Sequence, residues 1–227
     1  MDRRIFVSRT LAAGAMAAGL TATAQAESNE SVRILGVACS PRKGMTTAQS
    51  IQTALEAAKT VSERIHVAFV DFGGLKFAGQ SADGTFEKDD FSEVILPLLT
   101  DPVPAGLIIG SPVYFRNLSS LCMAFLERLG AVRSPRLLLA HTTVGVLSVG
   151  AYRNGGQELV IAQIQAAMLC HHAKIVGGQP AAFQGATLWN NWGDDISKDT
   201  FGLESARKLG ARVAEEALES AKKAGNQ

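Results

Sequence analysis

From residue 32 onward, short unbroken apolar runs alternate with longer stretches whose apolar positions follow a helical spacing. The first run, 32–38, has the length of a buried strand. Residues 46–59 follow, with Ile51, Leu55 and Ala58 on one helix face. A second strand is predicted at 65–70, rich in β-branched residues, before a Gly-rich irregular stretch at 72–84. Residues 87–99 predict a helix that Pro97 should kink or end. Further strands are expected at 106–110, 143–149 and 173–176, and further helices at 118–129, 157–170 and 203–218. In the last of these, Leu203, Ala206, Leu209, Val213 and Leu218 fall broadly on one side.

Strands that read as continuous apolar runs belong in a parallel sheet with helices on both faces. The predicted class is α/β: a flavodoxin-like, doubly wound, five-stranded parallel sheet of order 2-1-3-4-5 in three layers. In such a sheet the ligand crevice lies at the carboxyl ends of strands one and three. The loops after strands one, three and four should then be chemically unusual. No internal repeat or low-complexity linker is present, so residues 27–227 read as one domain.

Composition changes this picture little. The chain has 227 residues, is 47% hydrophobic and carries a formal charge of +1. Arg3, Arg4 and Arg9 against Asp2 give the first 26 residues +2, leaving the rest at −1. That balance offers no basic face for nucleic acid and no polybasic membrane patch. Residues 1–26 themselves read as an export signal, with a charged start, a mild apolar stretch and Ala24-Gln25-Ala26 as a cleavage site. Asp2-Arg3-Arg4-Ile5-Phe6-Val7 resembles a twin-arginine signal, which carries folded proteins, so a cofactor would be inserted before export to the periplasm. An ordinary secretory signal that happens to hold two Arg is the other reading. Cys39, Cys122 and Cys170 form no CxxC pair or metal-ligand cluster, and three buried thiols are expected in preference to one disulfide and a free thiol.

Three loops carry the chemistry. "CSPRKGMTTAQ" (39–49) joins the first strand to a helix, where backbone N–H groups and the helix dipole favour an anion. Ser40, Thr46 and Thr47 add hydroxyls, and Arg42 adds a planar cationic fork suited to phosphate. Neither GxxxxGK[ST] nor G-x-G-x-x-G is present, which disfavours a triphosphate and a dinucleotide. A Ser-Pro turn with a Thr cap and two solvated cations is the competing account. "GSPVYFRNLSS" (110–120) places Pro112, Val113, Tyr114 and Phe115 just past the third strand, where an apolar set suits a flat ligand. The alternative is that Tyr114 and Phe115 fold back into the core. Asn117 suits a helix N-cap. In "VGAYRNGGQE" (149–158), Gly150, Gly155 and Gly156 leave backbone N–H groups open to a ligand, with Arg153 as a cation beside them. A monophosphate pocket beside a flat apolar slot describes FMN.

These motifs resemble the flavodoxin-like NADPH-dependent FMN reductases, in the branch that contains iron–sulfur flavoproteins and multimeric flavodoxin-like quinone reductases. "SPRKG-MTT" compares with that family's SPRKGGNT and "GSPVYFRNLS" with GSPVYFGNVS. "GAYRNGGQE" also has a close counterpart there, as do "LCHHAKIVGG" and "GLESARKLGARVAE". The resemblance implies that Ser40, Arg42, Thr46 and Thr47 bind the FMN phosphate. It implies that Pro112, Val113, Tyr114, Phe115 and Asn117 line the ring, with Gly150, Ala151, Tyr152, Arg153, Gly155 and Gly156 along its other edge. It further implies NAD(P)H as donor, a quinone or similar small acceptor, and a dimer or tetramer that completes the site. Cys39 and Met45 stand at family glycines, Thr46 at an Asn and Arg116 at a Gly. The iron–sulfur members carry a cysteine cluster after strand two, but "DFGGLKFAGQSADG" here has no Cys.

Flavin chemistry needs no protein acid or base, so no catalytic residue is assigned; backbone N–H groups, Arg116 or Arg153 would stabilise negative charge on the reduced ring. NAD(P)H is a cytoplasmic currency, so an exported enzyme calls for a membrane quinol or a redox partner protein as donor. A non-enzymatic flavodoxin-type electron carrier is the alternative from another class. His171 and His172 are read as cations at a helix C-terminus rather than metal ligands, and Asp194-Asp195 as solvated. The Trp189 and Trp192 loop reads equally as a lid, a subunit contact or a surface anchor.

Overall fold

The computed structural model describes residues 31–84, 88–180 and 182–224. The expected export signal, at 1–26, lies outside the described residues, as does Glu87, the expected start of the second helix.

Strand β1 (Val32–Ala38) is central and almost wholly buried. It pairs in parallel with β2 (Ile65–Asp71) on one side and β3 (Gly106–Pro112) on the other. β3 pairs in parallel with β4 (Thr143–Gly150), giving the order 2-1-3-4-5 that the alternating pattern predicts. The edge beyond β4 differs. Its amino half pairs with the short β5 (Lys174–Ile175), and its carboxyl half with β6 (Ala186–Trp189), which periodicity did not reveal. Four residues carry too little pattern to separate a strand from a loop.

Helices cover both faces. α1 (Thr46–Lys59) and the long α6 (Thr200–Ala224) pack over one core, built on Ile34, Ile51, Ile108 and Val213. α3 (Ser120–Arg128) and α5 (Gln157–Leu169) cover the other, built on Leu35, Leu107, Phe125 and Ile164. α1 and α6 approach so closely that a Cβ on Gly210 would stand 1.9 Å from the Ala54 carbonyl oxygen. The predicted 87–99 helix is instead a π turn at Phe91–Ile95 followed by α2 (Leu96–Thr100). Leu96 donates back to the Phe91 carbonyl across five residues, and Pro97 falls in the first turn of α2, where its missing N–H costs nothing. The third predicted helix divides into α3 and the single turn α4 (Gly130–Arg133).

Two expectations about side chains are corrected. Cys39 and Cys122 are buried, but Cys170 is exposed, so the three thiols are not all in the core. His171 is 5% exposed, and burial together with the neighbouring Arg133 holds it below the usual histidine pKa. A helix-end cation would need water or an anion, and the Nδ1 of His171 has neither a partner nor exposure. Among the described residues, no helix is long and apolar enough to cross a membrane.

Candidate functional site

The loops after β1, β3 and β4 meet at the carboxyl edge of the sheet, tied from beneath by buried serines. Ser148 Oγ donates to the Ser111 carbonyl (3.0 Å), and Ser111 Oγ accepts from the Ser119 N–H (3.0 Å). Ser119 Oγ donates to the Cys39 carbonyl (2.5 Å) and accepts from the Cys122 N–H (3.0 Å). Ser119, not Asn117, therefore caps α3, and one hydroxyl joins the end of β1 to that helix. The Cys39 thiol is pushed above its usual pKa by burial and by its neighbour Cys122.

In the first loop, Ser40 Oγ takes the Arg42 N–H (3.1 Å). Asp71, at the end of β2, takes the Gly44 N–H (2.7 Å) and the Gly73 N–H (2.9 Å). The N-cap of α1 is Met45, which has no capping side chain. Among the described residues nothing accepts from the N–H groups of Thr46, Thr47 or Ala48, although Thr46 and Thr47 are each only 2% exposed. A buried helix N-terminus without acceptors is set up for an anion. Arg42 turns its Nη1 to both carboxylate oxygens of Asp194, 2.8 Å from each, and that contact raises its pKa.

The second loop is a tight hairpin turn. Tyr114 and Asn117 exchange both backbone hydrogen bonds at 2.9 Å, leaving Phe115 (φ 50°) and Arg116 (φ 61°) left-handed between them. Tyr114 is partly exposed and Phe115 fully so, which rules out a fold back into the core. The third loop is organised by Gln157, which is buried. Its Nε2 donates to the carbonyls of Tyr152 (2.6 Å) and Leu188 (3.0 Å), while its Oε1 accepts from the Gly155 N–H (2.8 Å). That N–H is thus engaged within the protein rather than open to a ligand. Gly156 is left-handed (φ 114°), and a Cβ there would lie 3.0 Å from the Arg116 Cα, so loops two and three touch.

Between the loops lies a cleft of about 710 Å³, a size usual for cofactor sites. Arg42 and Thr46 line it beside the N-terminus of α1, while Ser40 and Thr47 are buried outside its wall. Pro112, Val113, Tyr114 and Phe115 form one side, and Gly150, Ala151, Tyr152 and Gly155 the other. Asn117 closes its turn without entering the wall. Arg153 and Gly156 border a separate, smaller depression. Arg153 also pairs with the buried Asp199 and lies over the Trp189 ring at 5.0 Å, fixing loop three to the start of α6. The structure adds Asn190, Trp192 and Asp194 to the cleft wall, with Trp192 edge-on to Tyr152 at 5.4 Å. Asp194 is exposed, as expected, and in addition pairs with Arg42. Asp71 and Gln157 escaped sequence reading because each also ties its own loop to the backbone of another segment, Asp71 to Gly44 and Gln157 to Leu188.

The segment after β2 is held by an aromatic cluster and an ion pair. Phe72 meets Phe77 and Phe125 edge-on, with centroids 5.2 and 5.4 Å away. Arg128 grips Asp89 with two nitrogens (2.6 and 3.0 Å) and lies 4.6 Å above the Phe91 ring.

Curated relatives include an iron–sulfur flavoprotein of Methanocaldococcus jannaschii, 31% identical and aligned over 81% of this chain and 96% of its own. Another, from Methanosarcina thermophila, is 32% identical over 78% of this chain and 93% of its own. Both are named for an iron–sulfur centre; the three cysteines of this chain stand apart at 39, 122 and 170, with none in the segment after β2. Among the described residues, no three His, Cys, Asp or Glu gather as metal ligands. Of solved structures, a flavodoxin, WrbA-like protein from Agrobacterium tumefaciens matches with a TM-score of 0.54 at 16% identity, covering 84% of this chain and 99% of that one. The family model for NADPH-dependent FMN reductase matches residues 32–187. On that match and those relatives, the chain belongs to the NADPH-dependent FMN reductase family.

Proposed function

We propose that this protein is an FMN-dependent oxidoreductase of the NAD(P)H:FMN or quinone reductase type, passing a hydride or electrons to a small acceptor. FMN is the cofactor that membership of the family implies. The observation that carries the reading is the acceptor-free N-terminus of α1 at one end of an apolar cleft. A monophosphate completes the first, and a planar ring suits the second.

In this reading the N–H groups of Thr46 and Thr47 hold the phosphate, with Arg42 as the cation nearest them. Pro112, Val113 and Tyr114 face one side of the ring, and the loop from Gly150 to Gly155 faces the other. Bound FMN supplies the group that accepts and returns electrons. The chain's own contribution is to bind and orient it and to place Arg116 at the cleft wall, where a cation favours negative charge. Residues 1–26 direct the protein to the periplasm, so a membrane quinol or a redox partner protein replaces NAD(P)H as physiological donor. A second copy of the chain completes the assembly, as a dimer or tetramer.

The test is the visible spectrum of protein purified from its own compartment, followed by turnover with NAD(P)H, quinols and quinones. Flavin bands and rapid reduction of a quinone are expected. A colourless protein that takes up no FMN defeats the proposal, and flavin with only slow turnover moves it to an electron carrier. Exchanging Arg3 and Arg4 for Lys should block export by the twin-arginine route.

A further inference from the structure

The residue expected to bind phosphate is already bound to an anion. Arg42 Nη1 contacts both oxygens of Asp194 at 2.8 Å, and the amide of Asn190 reaches the same carboxylate at 3.4 Å. Asp194 reaches it from residues 190–195, between β6 and the 3-10 turn Ile196–Lys198. This segment is strained: Asn191, Trp192 and Asp194 all have left-handed backbones, with φ of 48°, 61° and 51°. Such conformations persist where surrounding contacts hold them. Here those contacts include the Asn190 N–H on the Gly150 carbonyl (3.0 Å) and the Trp192 N–H on Asn190 Oδ1 (3.2 Å), with the ion pair to the phosphate loop and the Trp192–Tyr152 ring contact at the cleft.

The geometry separates two roles for Asp194. A carboxylate that only steadied Arg42 for a ligand would approach it from behind, away from the cleft. Asp194 lines the cleft itself, and both side chains of the pair are more than 40% exposed, at 46% and 42%. An exposed pair of this kind is weak and exchangeable. A phosphate presents the guanidinium with the same oxygen chemistry and more charge, and it also gains the free N–H groups of α1.

We propose that Asp194 is an internal surrogate for the ligand's phosphate. Its carboxylate holds Arg42 until the phosphate arrives and displaces it, releasing residues 190–195 from the phosphate loop. The proposal rests on the FMN reading and adds a competitor within the same chain.

FMN and riboflavin, which lacks the phosphate, are titrated into flavin-free protein and into its Asp194→Asn and Asp195→Asn variants, reading flavin fluorescence. Asp194→Asn should bind FMN about fivefold more tightly, the scale of losing one exposed ion pair, and riboflavin equally. Asp195→Asn removes the same charge one residue away and should change neither. Unchanged or weaker FMN binding in Asp194→Asn overturns the proposal while leaving the flavin reading standing. Equal tightening in both variants also overturns it, since that is bulk electrostatics. No flavin binding in any of the three proteins overturns the flavin reading and this proposal together.

Discussion

At residue scale, the most informative position is Arg116. It occupies a left-handed backbone in a turn whose other central residue, Phe115, is also left-handed. For side chains other than Gly that conformation costs about 1–2 kcal/mol per residue. The related motif GSPVYFGNVS has Gly at this place, so Arg116 is a departure that costs stability. Arg116→Gly should therefore raise stability by about 1 kcal/mol, read as a higher denaturant midpoint with an unchanged slope. An unchanged midpoint would mean that the contact of Arg116 with Gly156 compensates for the strain. The residue identities were plain from sequence, and so was the apolar character of the turn. Its conformation was not, because it depends on the paired backbones of Tyr114 and Asn117.

At the scale of elements, two junctions decide how rigidly the site is held. The first is the segment after β2, anchored on α3 by Asp89 and Arg128, whose side chains are 19% and 4% exposed. Hydrogen bonds from Arg128 are the main reason that the Asp89 carboxyl lies below its usual pKa, against the opposing effect of burial. A depressed carboxylate stabilises the fold above its unfolded pKa, and that contribution disappears as pH falls through the folded value. Asp89→Asn leaves Arg128 buried without its counter-charge and should cost about 3 kcal/mol near neutrality. The gap from the parent should narrow on acidification below about pH 4, measured by urea unfolding across pH. A gap independent of pH would show that the loss comes from packing. The second junction is the α1–α6 crossing at Gly210. Gly210→Val should lower stability by about 3 kcal/mol or more through overpacking, and a neutral result would refute that close approach. Helical spacing indicated both helices, but nothing along either one shows where the two touch.

At the scale of the whole molecule, the cleft exists only because three loops spread over residues 39–158 converge on one edge of the sheet. FMN should stabilise the fold by mass action, by about 2.7 kcal/mol at a hundred times its dissociation constant. A thermal midpoint that rises with FMN but not with adenosine monophosphate, which has a phosphate and no flavin, checks that the whole cleft is engaged. The sequence by itself determined the α/β class and the three loops, because buried parallel strands leave unbroken apolar runs and short loops carry their chemistry locally; the order 2-1-3-4-5 was one common solution for such a sheet. Membership of the flavin reductase family was also legible there, in motifs that keep their order. Only the tertiary structure decided that β5 and β6 share one edge and that Arg153 serves Asp199 instead of the cleft. It also revealed Ser119, Asp71 and Gln157 as the groups that hold the loops, and placed Asp194 on Arg42. Each of these rests on at least one contact between residues well apart in the chain, and such contacts leave no periodic trace in the sequence.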